Sequence, residues 1–126
     1  MTNTSNNLRT SEVFFKADER NPTITPGKPK TITDLIREWS IERNLHDADP
    51  NKQALKFGEE VGELFEGLAK GNEDLIKDAI GDIYVVMTIL SQQLGFTIEE
   101  CVELAYGEIK DRRGKTVDGV FVKEGD

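Results

Sequence analysis

Two long helical patterns meet at Gly71 and Asn72, and each carries carboxylates beside an apolar face. The first runs from about Asn51 to Lys70, with Ala54, Phe57, Val61, Leu64, Phe65 and Leu68 recurring at helical spacing. The second spans about Glu73 to Leu94 and is closed by Gly95. Its apolar sector is wide, taking in Leu75, Ile76, Ala79, Ile80, Ile83, Val86, Met87, Ile89 and Leu90. A helix apolar over that much of its circumference belongs at the centre of a bundle. Gly71 suits the left-handed residue that ends one helix, and Asn72 suits the cap of the next. An antiparallel helical hairpin follows, and the rest of the chain has to pack around it.

The acids of this hairpin are placed by the same periodicity. Glu60 and Glu63 lie on the flank of the first apolar stripe, with Gln53, Lys56 and Gly67, while Glu59 lies just beyond them towards solvent. Asp82 projects between Leu75 and Ile89, inside the apolar sector of the second helix. A carboxylate there needs a partner, because an isolated buried charge costs several kcal/mol. Glu63 is eight positions before Gly71 and Asp78 seven after it, while Glu60 and Asp82 are each eleven away. The two sets of acids therefore sit at matching heights on the hairpin. Facing carboxylates repel unless a cation lies between them, and an all-oxygen set suits Mg²⁺, or Mn²⁺ in its place, better than Zn²⁺. Glu60, Glu63, Asp82 and Asp78 are the expected ligands.

A first helix is expected from Thr33 as cap to about Asn44, with Ile36, Trp39 and Leu35 facing inward. Asp49 caps the second, with Pro50 in its first turn. Gly67 is mid-helix, where glycine costs up to about 1 kcal/mol against alanine, so something is expected to approach the backbone there. Thr97 and Glu100 form a capping box for a fourth helix running to about Arg113, with Ile98, Val102, Ala105 and Ile109 on its buried side. Cys101 reads as a packed thiol on that helix. Lys110, Arg112, Arg113 and Lys115 crowd its end, either complementing the helix dipole or clamping phosphate. Val117 to Val122 reads as two extended pieces around an Asp-Gly turn. The fold class is thus all-α: a four-helix-bundle-like domain over residues 32–126, with a short extended C-terminal piece. Residues 1–31 form an irregular N-terminal arm, in which Phe14 and Phe15 are expected to dock on a core.

Composition narrows the function. The 126 residues carry a net charge of −8, which disfavours a nucleic-acid polymer as partner. No apolar run reaches the roughly 18 residues of a membrane span, so a cytoplasmic location is expected. No zinc-type Cys/His spacing, GxxxxGK[ST] loop or GxSxG elbow is present.

Glu59-Glu60-Val61-Gly62-Glu63, followed by Ala79-Ile80-Gly81-Asp82, resembles the MazG-like branch of the all-α nucleoside triphosphate pyrophosphohydrolases, in its single-domain phage and bacterial form. The likeness covers about Ile32 to Lys123, including Lys56 to Leu64 and the Lys110–Lys115 segment. It implies Mg²⁺-dependent hydrolysis of nucleoside triphosphates to monophosphate and pyrophosphate, with metal-activated water attacking the α-phosphorus. Glu59 would be the catalytic base. Lys56, Lys110 and Arg113 would neutralise phosphate, and Gln53 and Trp39 would meet the base. A homodimer or homotetramer is implied, and the apolar character of the hairpin also asks for one. The family places a glutamate where this chain has Ala79, so Asp78 would have to stand in. A base-specific dUTP or dCTP diphosphatase is the narrower alternative. A non-catalytic helical metal-binding or interaction module is the alternative of another class.

Overall fold

The computed structural model describes residues 18–21 and 25–125. Phe14 and Phe15 lie outside the described residues. Helices α1 (Ile32–Glu42), α2 (Pro50–Lys70), α3 (Glu73–Gln93) and α4 (Ile98–Ile109) are followed by strands β1 (Gly114–Val117) and β2 (Val120–Lys123). The described residues before Ile32 contain no helix or strand. No single described helix is long and apolar enough to cross a membrane.

Each helix begins where its capping chemistry dictates. The cap of α1 is Thr31, not Thr33. Thr31 Oγ1 accepts from the Asp34 N–H at 3.1 Å, and Asp34 Oδ2 accepts from the Thr31 N–H at 2.8 Å. Thr33 is inside the helix and buried, with its hydroxyl 2.7 Å from the Tyr84 hydroxyl on α3. Asp49 caps α2, Asn72 caps α3, and Thr97 with Glu100 closes a capping box on α4. Gly71 ends α2 at φ 63°, a left-handed conformation that glycine adopts without strain.

Helix α3 is the hub. It packs along α2 for most of their length, against α1 on one side, and against the start of α4. Ala79, Val86 and Ile89 supply its buried apolar positions. The buried line of α2 is unexpected in character: Gln53, Glu60 and Gly67, one every seven residues. The larger apolar residues Phe57, Val61 and Leu64 are only half-buried, and Phe65 and Leu68 are exposed. The inward face of α1 also differs from expectation. Thr33, Arg37, Ser40 and Ile41 are buried, whereas Leu35 and Trp39 are exposed. Arg37 takes the inward place because its charge is answered there. It donates to both Glu99 oxygens at 2.8 Å and to Asp34 Oδ1 at 2.8 Å, which ties α1 to the start of α4.

Gly67 faces the first turn of α3. A methyl group there would sit 3.0 Å from Ile76 Cγ1 and 3.2 Å from the Ile76 backbone nitrogen. Gly67→Ala gains up to about 1 kcal/mol of helix propensity but must push two backbones apart. The expected net result is a loss of about 1 kcal/mol in urea-monitored stability, opposite in sign to the propensity gain.

Beyond Ile98 the chain leaves the bundle. Helix α4 turns by 105° from α3 and ends at Ile109, short of Arg113. Every residue from Glu99 to Gly125 is exposed, including Val102, Ala105, Ile109 and Cys101, which were expected on the packed side. Strands β1 and β2 pair antiparallel through the expected tight turn, with Asp118 and Gly119 both at positive φ. Among the described residues the strands pack only on each other.

Candidate metal centre and nucleotide pocket

The hairpin brings Glu60, Glu63 and Asp82 together. One carboxylate oxygen from each lies within 4.8 Å of the other two. Glu60 and Glu63 come from consecutive turns of α2, and Asp82 meets them from α3 because both helices leave Gly71 at matching height. The arrangement is electrostatically uncomfortable. Burial, followed by the charges of Asp78 and Glu60, pushes the Asp82 carboxyl above the usual carboxylate range. The charge of Glu60 does the same to Glu63.

Glu60 is the buried member, only 4 % exposed. Its Oε1 has Lys56 Nζ at 3.3 Å, but its Oε2 is buried with no hydrogen-bond partner. Buried carboxylate oxygens are rarely left so, and an ion between the three acids would satisfy it. Three facing carboxylates, one with an orphaned buried oxygen, form a donor set that fits a hard divalent cation.

Asp78 is exposed and stands apart from this triad, although its charge reaches Asp82. The neighbouring Ala79 is 0 % exposed, so a longer side chain at that position has no room without repacking. Glu59 is also exposed, with its Oε2 3.5 Å from Lys56 Nζ.

A pocket of about 430 Å³ shares Lys56 with the triad; Trp39, Leu45, Val85, Val86 and Ile89 wall it, and Asp49, Lys52, Gln53, Lys56 and Gln93 are its polar members. Three residues singled out for substrate contact, Trp39, Gln53 and Lys56, thus share one cavity. Gln53 is buried, and its amide reaches the Val86 carbonyl only at 3.5 Å. Trp39 carries the Arg43 guanidinium over its ring at 4.3 Å. Lys56 belongs to both places, lining the pocket and bonding the triad. Leu45 and Gln93 are pocket residues that the sequence did not flag. Gln93 holds the loop wall in place by donating to the Leu45 carbonyl at 2.9 Å. A loop residue and a glutamine at a helix end carry no periodic signal.

Lys110 and Arg113 are exposed at the junction of α4 and β1. Arg113 lines a separate hollow at the base of the strands with Lys115 and Lys123. Among the described residues of one chain neither is brought to the triad, because α4 meets the bundle through α3 and the Arg37–Glu99 pair at its start, and the strands pack on no helix.

The family model for the MazG nucleotide pyrophosphohydrolase domain matches residues 50–116. The chain belongs to the MazG family. The match begins at the start of α2 and so includes the whole triad. A protein of Haemophilus phage HP1 (strain HP1c1), described as an uncharacterized 18.2 kDa protein in the rep-hol intergenic region, is 52% identical to this MazG chain over 59 residues. That alignment covers 46% of this chain and 36% of the phage protein, so it spans about a third of that relative's length. No solved structure gives a significant match.

Proposed function

We propose that the protein hydrolyses nucleoside triphosphates to nucleoside monophosphate and pyrophosphate in a Mg²⁺-dependent reaction at the α-phosphorus. The supporting observation is the continuity of the apolar pocket with the acidic triad through Lys56. Such a pocket suits a nucleoside, and a divalent site beside it suits the phosphates. Glu60, Glu63 and Asp82 would hold Mg²⁺, with Mn²⁺ a substitute, and Asp78 would add charge from outside. When bound, the ion supplies charge neutralisation and lowers the pKa of a ligated water.

The chain's own residues do the rest. Trp39 offers a ring face to a base, and the loosely held Gln53 amide turns to its edge. Lys56 neutralises phosphate oxygens. Glu59, which is not committed to the triad, orients the attacking water and takes its proton. The new bond forms between that water oxygen and the α-phosphorus. The bond to the bridging oxygen breaks, and pyrophosphate leaves.

A homodimer or homotetramer belongs to this reading. An amphipathic helix with Val102, Leu104 and Ile109 exposed is costly to leave in water, and a second copy would cover it. The same contact would bring Lys110 and Arg113 to a phosphate site that they do not reach in their own chain. Sedimentation equilibrium of a plain monomer at micromolar concentration would count against it. We place the enzyme in the cytoplasm, where free nucleoside triphosphates are found.

The test is a panel of NTPs and dNTPs with Mg²⁺, read by monophosphate and pyrophosphate release. Release from several of them, abolished by a chelator, is expected. No monophosphate from any, at enzyme levels well above trace contamination, would sink the reading. A single strongly preferred base in kcat/KM would instead mark a base-specific diphosphatase.

A further inference from the structure

We propose that Lys56 is a placeholder cation, held on Glu60 and Glu59 in the metal-free protein and released to a nucleotide phosphate when a divalent cation enters the triad. This rests on the metal and nucleotide reading given above.

Lys56 Nζ lies 3.3 Å from Glu60 Oε1 and 3.5 Å from Glu59 Oε2. The Lys56 side chain is 53% exposed, whereas that of Glu60 is 6% exposed. The ammonium therefore leans in from the rim onto a buried carboxylate. It satisfies only one of the two oxygens, since Glu60 Oε2 keeps no partner. One positive charge also falls short of three facing carboxylates. Lys56 thus relieves the cluster in part and leaves room for a better cation.

A divalent cation bound through Glu60 would share that carboxylate with the ammonium, and like charges on one carboxylate repel. Lysine is a compact charge on a flexible stem, so it can leave. The place open to it is already lined by its own side chain, the pocket that Trp39 and Gln53 share. There the ammonium would meet the phosphates of a nucleotide. Metal and nucleotide are then coupled through one side chain. The metal frees Lys56 for phosphate, and phosphate keeps Lys56 off the metal's ligand. By linkage each must tighten the other by the same factor. A lysine that was only a surface ion pair would leave metal affinity nearly unchanged.

The test compares wild type, Lys56→Gln and Lys56→Arg. Free Mn²⁺ is followed by its paramagnetic resonance signal, with and without a triphosphate analogue carrying a methylene between the α- and β-phosphorus. Without nucleotide, Mn²⁺ should bind Lys56→Gln about three- to tenfold more tightly than wild type, because the competing charge is gone. The factor by which the analogue improves Mn²⁺ affinity should fall at least about fivefold in Lys56→Gln and be largely kept in Lys56→Arg. Equal or weaker Mn²⁺ binding by Lys56→Gln alone overturns the proposal, as does an analogue effect that is the same in all three proteins. Mn²⁺ binding without analogue binding would count against the nucleotide reading, and the comparison without nucleotide then decides whether Lys56 holds the metal's place. No Mn²⁺ binding at all overturns both.

Discussion

Asp82→Asn is expected to lower kcat/KM by at least about a thousandfold, roughly 4 kcal/mol of transition-state stabilisation, while the protein stays folded. The substitution keeps the shape of the side chain and removes a charge proposed to hold the metal from the triad. Its effect on the metal-free protein should run the other way. Asp82 and Glu63 both have carboxyl pKa values raised above their ordinary range. A group that holds its proton more tightly when folded stabilises the fold at low pH, below its unfolded pKa. That contribution is lost as pH rises through the raised folded pKa. An asparagine never ionises and escapes this loss. In chelator, the Tm of Asp82→Asn minus that of wild type should therefore be near zero at about pH 4 and should grow as pH rises through the carboxylate range. Added Mg²⁺ should raise the Tm of the wild type at neutral pH and barely move that of the variant. A variant that is less active and also less stable in chelator at neutral pH would show Asp82 to be a structural residue.

The second large effect is expected at Arg37. Its side chain is 5% exposed, with both terminal nitrogens engaged by Glu99 and Asp34. Its carbonyl accepts from Gln92 Nε2 at 3.3 Å, so α1, α3 and α4 all meet at this residue. Arg37→Ala removes the guanidinium and leaves a cavity beside two carboxylates. Glu99 is half-exposed and can find water, which places the cost at the lower end for a broken ion pair, about 2–3 kcal/mol. For a domain of this size that is a Tm drop on the order of 10 °C. Glu99 is held below its usual pKa, chiefly by its hydrogen bond with Arg37. Its share of stability is therefore present above the unfolded glutamate pKa and lost as pH falls through the lower folded value. Wild type should lose that share in acid, and Arg37→Ala should have little of it to lose. A double-mutant cycle with Glu99→Ala would isolate the pair, and a coupling near zero would show that only packing is at stake.

The hairpin and its triad were legible in the sequence because helical periodicity places side chains without knowledge of the rest of the fold. Glu60, Glu63 and Asp82 needed only the spacing and the position of Gly71. The cap of α1 was missed by two residues. Asp34 fills the reciprocal position of a capping box more often held by glutamate or glutamine, and Thr31 was passed over. Arg37 was missed because apolar patterning cannot see a charge buried by a partner 62 residues away. The packed side expected for α4 is exposed in the single chain because periodicity reports that a face is apolar, not which surface covers it. The pocket was half legible. Trp39, Gln53 and Lys56 lie on regular helices, whereas Leu45 belongs to a loop whose place is set by Gln93.

The joining of α2 and α3 through Gly71 and Asn72 also bears on how the chain folds. Most of the helix-to-helix packing lies within this one hairpin, between segments close in sequence. Contacts of that kind form early, at low loop-closure cost, and tend to make up the folding nucleus. The three carboxylates are gathered in the same event. Their repulsion is then met on the way to the transition state as well as in the finished fold. Divalent cations should accordingly steepen the rise of refolding rate in stopped-flow experiments, and an effect confined to the unfolding limb would place the gathering of the acids after the barrier.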